Sequence, residues 1–277
     1  MEQNKLPVFF HIPKNAGTYT NNMCFSFMQR FAAGKKHYHV DVYKDGIIYY
    51  RFICYSEHPL NEKFEQLNHK CLYKINLKDL SFDGLFVFML RIADSGFSDY
   101  KEDIYKKLDK NRKLCEFLVL RDPYERALSL FSYLKSSQSS HESTNGMFGD
   151  MTFVEYLNSP YLEGSWLIRR LLKIPNETPI TKEHFDNTCQ ILDGFLISDI
   201  KNVDKLISKV FYMCFNIKDC NIDQQKIYSN KTKEKITHDF DSLSEKTRDN
   251  FNKQTKWDQL LFNKYKTNVH NLSLIHI

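Results

Sequence analysis

Pro7-Val-Phe-Phe-His11-Ile-Pro-Lys14-Asn-Ala-Gly17-Thr-Tyr-Thr20 reads as a buried strand, a tight turn and the first residues of a helix. Val8, Phe9, Phe10 and Ile12 make a short apolar run that Pro13 ends, Gly17 suits a turn with positive φ, and an amphipathic run from Thr18 to Phe31 follows. A strand that turns directly into a helix gathers unpaired N–H groups and the positive end of the helix dipole at one spot, which favours an anion there. Lys14, Thr18 and Thr20 supply a charge and two hydroxyls. A Walker-type loop places its lysine after the second glycine and just before Ser/Thr, whereas Lys14 precedes the only glycine of this stretch, which argues against an ATP-type P-loop.

A second segment, Cys115-Glu-Phe-Leu-Val-Leu-Arg121-Asp-Pro-Tyr-Glu-Arg126-Ala-Leu-Ser129 and on to Leu134, repeats the strand, turn and helix order. Asp122 can cap, Pro123 fits the first helical position and Glu125 stands where a capping box needs it. Asp122, Arg126 and Ser129 share a helix face away from Ala127, Phe131 and Leu134, and Arg121 and Ser129 are spaced to share one anion.

His11-Ile-Pro-Lys-Asn-Ala-Gly-Thr18 resembles the 5′-phosphosulfate loop of sulfotransferases that use 3′-phosphoadenosine 5′-phosphosulfate (PAPS), especially the carbohydrate-directed branch that includes the heparan-sulfate 2-O enzymes. Leu120-Arg-Asp-Pro123, with Glu125-Arg126 and Ser129 after it, resembles that family's 3′-phosphate element. The resemblance implies a three-layer α/β domain with a central parallel sheet, the P-loop-NTPase-like sulfotransferase fold. It also implies transfer of a sulfuryl group from PAPS to a hydroxyl of a carbohydrate or similar acceptor, with 3′-phosphoadenosine 5′-phosphate (PAP) as product. Lys14, Asn15, Ala16, Gly17, Thr18, Tyr19 and Thr20 would then surround the 5′-phosphosulfate, and Arg121 and Ser129 would hold the 3′-phosphate through geometry suited to phosphate oxygens. Arg126 would anchor its helix through ion pairs. Ser165 to Leu172 resembles a family segment beside the cofactor, so Arg169 or Arg170 joins the contacts. A basic loop before the last helix adds Lys231 and Thr232.

Sulfuryl transfer needs charge stabilisation at the transferring group, which suits Lys14, and a base for the acceptor hydroxyl. The carbohydrate branch often carries Gly-His at the end of the preceding strand, but this chain has Met89-Leu-Arg-Ile-Ala-Asp94. The base candidates are therefore His58 and then Asp94, with His11 read as structural. If neither serves, the alternative is a nucleotide- or glycan-binding protein of the same fold that has lost catalysis. A kinase-like enzyme ranks third, because no Walker or kinase Gly-rich loop is present.

The remaining sequence gives the frame. The 277 residues, 42% hydrophobic, suffice for one α/β domain over 1–270 with a tail at 271–277, since no Gly/Ser- or Pro-rich linker divides them. The net charge of +5 suits anionic ligands, and its interspersed basic and acidic residues do not imply nucleic acid. Seven scattered cysteines lack metal-ligand spacing; most read as buried thiols, with a single disulfide as the alternative. With no apolar run of roughly 20 residues and no leader, a soluble, cytoplasmic protein is expected, although related eukaryotic enzymes are Golgi-lumenal. Asp45-Gly46 signals a hairpin between His39–Tyr43 and Ile47–Cys54, and Gly84–Leu90 a buried parallel strand that leaves Arg91 on the next loop. Helices are expected over 61–69, 97–108, 152–157, 164–172, 202–211 and 243–265, and a surface loop over 136–150.

Overall fold

The computed structural model describes residues 5–32, 35–56, 66–67, 72–81, 85–93, 96–105, 107, 112–135, 148–217 and 236–266. Its strands are β1 (Lys5–Phe10), β2 (Lys36–Lys44), β3 (Ile47–Ser56), β4 (Gln66–Leu67), β5 (Leu72–Asn76), β6 (Phe86–Ile92), β7 (Lys113–Leu120) and β8 (Leu196–Asp199). The helices are α1 (Gly17–Phe31), α2 (Pro123–Lys135), α3 (Phe153–Leu157), α4 (Trp166–Leu172), α5 (Lys182–Leu192), α6 (Val203–Phe215) and α7 (Glu245–Tyr265).

All eight strands form one sheet in the order β4-β5-β2-β3-β6-β1-β7-β8. β6, β1, β7 and β8 run parallel, while β3 is antiparallel to both β6 and β2. The sheet is thus mixed rather than wholly parallel. A tight hairpin causes this: Asp45 (φ 55°) and Gly46 (φ 77°) both adopt the left-handed region that a two-residue turn between twisted strands requires.

The period-two alternation of β1 sends Leu6, Val8 and Phe10 to one face and Phe9 to the other. Trp166, Leu171, Cys189, Leu192, Leu261 and Tyr265, from α4, α5 and α7, cover the first face. Met23, Phe27, Leu206 and Phe211, from α1 and α6, cover the second, where Phe27 and Phe211 stack at 4.3 Å between centroids. Fully burying each of these side chains contributes ~1.5–3 kcal/mol. A third apolar cluster joins α2, α3 and α7 through Ala127, Phe131, Tyr156 and Phe251. No helix among the described residues is long and apolar enough to cross a membrane.

Several expectations need correction. Gln66 and Leu67 form a short strand against β5 where a helix over 61–69 was expected; the rest of that stretch lies outside the described residues. The helix expected over 97–108 is a turn followed by a π-helical segment, Lys101–Tyr105. Of the loop expected over 136–150 only 148–150 is described, and Phe148 is buried in the third cluster. Arg91 sits inside β6 rather than on the loop after it. On α7, Phe251 and Leu261 are buried against the domain, whereas Leu260 is 42% exposed. Cys24, Cys54, Cys115, Cys189 and Cys214 are buried free thiols. The helix α5 was missed, although Thr181 accepts from the His184 amide and His184 accepts from the Thr181 amide in a capping box ahead of buried Thr188, Cys189 and Leu192.

Candidate functional site

The site forms where β1 and β7, neighbours in the sheet, end and turn into α1 and α2, the edge at which open α/β sheets present their loops to ligands. The turn after β1 is built differently from the sequence expectation. Positive φ occurs at Lys14 (67°) and Ala16 (55°), not at Gly17. Two non-glycine residues in the left-handed region cost of order 1–3 kcal/mol each and persist only where their surroundings hold them.

Three side chains do the holding. Arg121 donates from Nη1 to the Lys14 carbonyl at 3.2 Å, Arg126 from Nε to the Pro13 carbonyl at 3.4 Å, and Asn15 from Nδ2 to the Val119 carbonyl at 3.0 Å. The two segments singled out in the sequence are therefore bonded to each other directly.

Gly17 has another purpose. A Cβ there would fall 1.9 Å from Cδ2 and Nε2 of His11, so the imidazole occupies the space that any other residue would need. His11 accepts no proton readily: burial first, then Arg91, Arg51 and Lys14, push its pKa down to about 3. Its Nδ1 lies 3.0 Å from Nη2 of Arg91. Because a guanidinium only donates, Nδ1 accepts and the ring proton sits on Nε2. This is the structural role expected of His11.

α1 starts without a side-chain cap and without an acidic residue in its first turn. Its first amides, at Gly17, Thr18 and Tyr19, thus have no side-chain cap, and the helix dipole favours an anion there. Lys14 is half-buried beside them, with Nζ 4.4 Å from the centre of the Tyr133 ring. Among the described residues no carboxylate pairs with it, and burial followed by the Arg121 charge lowers its pKa. An anion bound beside it would oppose both effects and raise that pKa again.

The other expected residues divide. Arg126, Ser129 and Tyr133 follow one another on a single face of α2; the first contacts Pro13 and the last Lys14, so Ser129 stands between two contacts with the turn. Asp122 caps α2 as expected, accepting from the amides of Tyr124 at 2.9 Å and Glu125 at 3.1 Å. Glu125 turns to Arg121 instead of closing the capping box, at 3.4 Å. Arg126 does anchor, through the Pro13 carbonyl and by lying 5.2 Å over the Trp166 ring; among the described residues it closes no salt bridge, although its charge acts on the Asp258 carboxyl.

Tyr19 is committed by its hydroxyl to Asp204 at 2.7 Å, leaving only its backbone amide for a ligand. Thr18 is exposed, whereas Thr20 is fully buried and presents no hydroxyl at the surface. Arg169 is spent on backbone carbonyls of Pro175, Thr178 and Gly164, which makes it a loop staple. Arg170 lies over Trp166 at 5.7 Å. His58, Asp94, Lys231 and Thr232 lie outside the described residues.

What the sequence reading missed is a charged row on the α1 face of the sheet. Asp41, Arg51, Arg91 and Phe9 are successive register partners across β2, β3, β6 and β1. Arg51 holds Asp41 by a bidentate pair at 2.6 and 2.8 Å, while Arg91 faces only His11. Each lies on a different strand, so only the register brings them together. The signal within each strand was a charge, Asp41, Arg51 or Arg91, between apolar neighbours.

No protein-family model, curated protein or solved structure matches this chain.

Proposed function

We propose that the protein is a PAPS-dependent sulfotransferase that moves a sulfuryl group to a hydroxyl of a carbohydrate or similar acceptor, with Lys14 and the first amides of α1 around the 5′-phosphosulfate and Arg121 and Ser129 at the 3′-phosphate. The observation that carries the reading is the direct bond from Arg121 to the Lys14 carbonyl, since it joins two segments that separately resemble the two phosphate-binding elements of that family. The domain is α/β with helices on both faces of its sheet, which is compatible with a P-loop-NTPase-like sulfotransferase fold. Lys14, half-buried and unpaired among the described residues, is available to stabilise charge that develops on the leaving side.

The test is thermal unfolding with PAP, PAPS and ATP. A ligand selective for the folded state raises the transition by mass action. PAP is expected to stabilise strongly, ATP weakly, and Arg121→Ala to remove most of the difference; equal responses to PAP and ATP that survive the substitution defeat the 3′-phosphate assignment. With labelled PAPS, Lys14→Ala is expected to lower turnover more than PAP affinity.

The second reading is a nucleotide- or glycan-binding protein of the same fold without catalysis. Of the turn's own side chains, His11 offers no base, because its pKa is pushed down to about 3 and its Nδ1 already accepts from Arg91. A protein that binds PAP yet transfers sulfate to no member of a broad acceptor panel is that binder.

A further inference from the structure

Arg91 is an anomaly. It sits near the end of β6 on the α1 face of the sheet, and its Nε is buried without any hydrogen-bond partner. One terminal nitrogen meets His11, a neutral ring. The carboxylate within reach of this row, Asp41, is 2% exposed and already engaged by both forks of Arg51. Among the described residues Arg91 has no carboxylate of its own. Burial and the Arg51 charge lower its pKa to about 10, which still leaves it cationic at neutral pH.

The surroundings add more positive charge. His11 touches Arg91 on one side and Gly17, the first residue of α1, on the other, so the row ends under the positive pole of the helix. Lys14 also acts on His11. A half-buried guanidinium whose Nε has no partner, and on which the shared Asp41 charge only partly offsets burial and Arg51, is costly, and such a charge is retained where something else neutralises it.

The topology says which side it serves. β1 lies between β7 and β6; Arg121 follows β7, and Arg91 belongs to β6. The cradle is therefore flanked by one cation on each neighbouring strand.

We propose that Arg91, backed by the Arg51–Asp41 pair and steadied by His11, is a second anion subsite on the β6 side of the cradle, which takes a carboxylate or sulfate group carried by the acceptor. The identity of the occupant as acceptor rests on the sulfotransferase reading; the existence of the anion subsite does not. Arg91 is then a specificity-determining residue that selects acidic acceptors over neutral ones. Its fork geometry matches a planar carboxylate or two sulfate oxygens.

The test follows thermal unfolding of the full chain at fixed ionic strength, with chloride replaced stepwise by sulfate, in wild type and Arg91→Gln, with and without saturating PAP. Glutamine keeps a donor for His11 and removes the charge. Sulfate is expected to raise the wild-type transition by a few degrees with PAP already bound, and Arg91→Gln to abolish that rise while leaving the PAP response intact. Without added sulfate, Arg91→Gln is expected to melt no lower than wild type, because an unpaired charge has been removed. A drop of several degrees would make Arg91 a structural anchor and overturn the proposal, as would an equal sulfate response in both proteins.

A uronate-bearing disaccharide and its carboxyl-reduced counterpart then separate an acceptor group from a free ion. Binding of the acidic form at least tenfold tighter, lost in Arg91→Gln, supports the acceptor assignment. Equal binding of the two overturns it even if sulfate binds. Failure of PAP to bind, with the sulfate response still dependent on Arg91, defeats the sulfotransferase reading and the acceptor assignment while leaving the anion subsite standing.

Discussion

Gly17 shows how a correct residue can be read for the wrong reason. The sequence placed a glycine at the turn and backbone freedom was the obvious explanation, yet the left-handed residues are Lys14 and Ala16, and Gly17 is there because His11 fills the space of a side chain. Gly17→Ala should therefore cost about 1–3 kcal/mol from overpacking, less what alanine's better helix preference returns. It should also weaken PAP binding by displacing the first amides of α1. Adding His11→Ala should recover most of the stability, measured by urea unfolding; a Gly17→Ala protein as stable as wild type would show that the ring yields freely. Arg91 was expected on the loop after its strand, and neither its place inside β6 nor its relation to Arg51, Asp41 and His11 was legible. Register across four strands is a non-local property that no window of sequence contains.

The elements themselves were largely legible where a local signal was complete. The hairpin followed from Asp45-Gly46, α2 from Asp122-Pro123, and the strands of the parallel half from short apolar runs. Legibility failed where the local signal was weak or polar: β4 has two residues, and α5 carries its buried positions in Thr188, Cys189 and Leu192 rather than in a bold apolar stripe. What joins the elements at the site is a set of side chain to backbone bonds between the β1–α1 and β7–α2 turns, from Asn15, Arg121 and Arg126. Two turns tied in this way should respond as one unit. Amide hydrogen exchange is expected to slow at 14–19 and at 121–124 together when PAP binds, and Arg121→Ala should uncouple them, leaving protection at the first turn alone. Protection confined to one turn in wild type would break the shared-ligand reading.

For the molecule as a whole, two half-buried groups set opposing responses to acid. His11 has an unfolded-state pKa of 6.5 and a folded one of about 3. Between those values the unfolded chain binds a proton that the folded chain refuses, so stability falls as pH drops, by up to about 1.4 kcal/mol per pH unit. Asp258 accepts from the Ser165 amide at 2.6 Å, and burial lifts its pKa from 3.8 to about 6. There the folded chain keeps a proton that the unfolded chain releases, so its contribution rises as pH falls from 6 toward 3.8. Urea unfolding at pH 7 and pH 5 should find a smaller acid loss than wild type in His11→Gln and a larger one in Asp258→Asn; identical losses in all three would remove both groups from the account. A different consequence follows from the place of β1 in the sheet. It comes first among the described strands, yet Val8 faces Leu90 and Lys5 faces Lys113, so its partners appear only after about eighty and about a hundred further residues have been made. During synthesis the β2–β3 hairpin has its contacts at once, whereas β1, with its apolar Val8, Phe9 and Phe10, must wait unpaired and then insert between two strands. Closure of that long loop is the expected slow step of folding, and the waiting strand is the segment a chaperone would meet first.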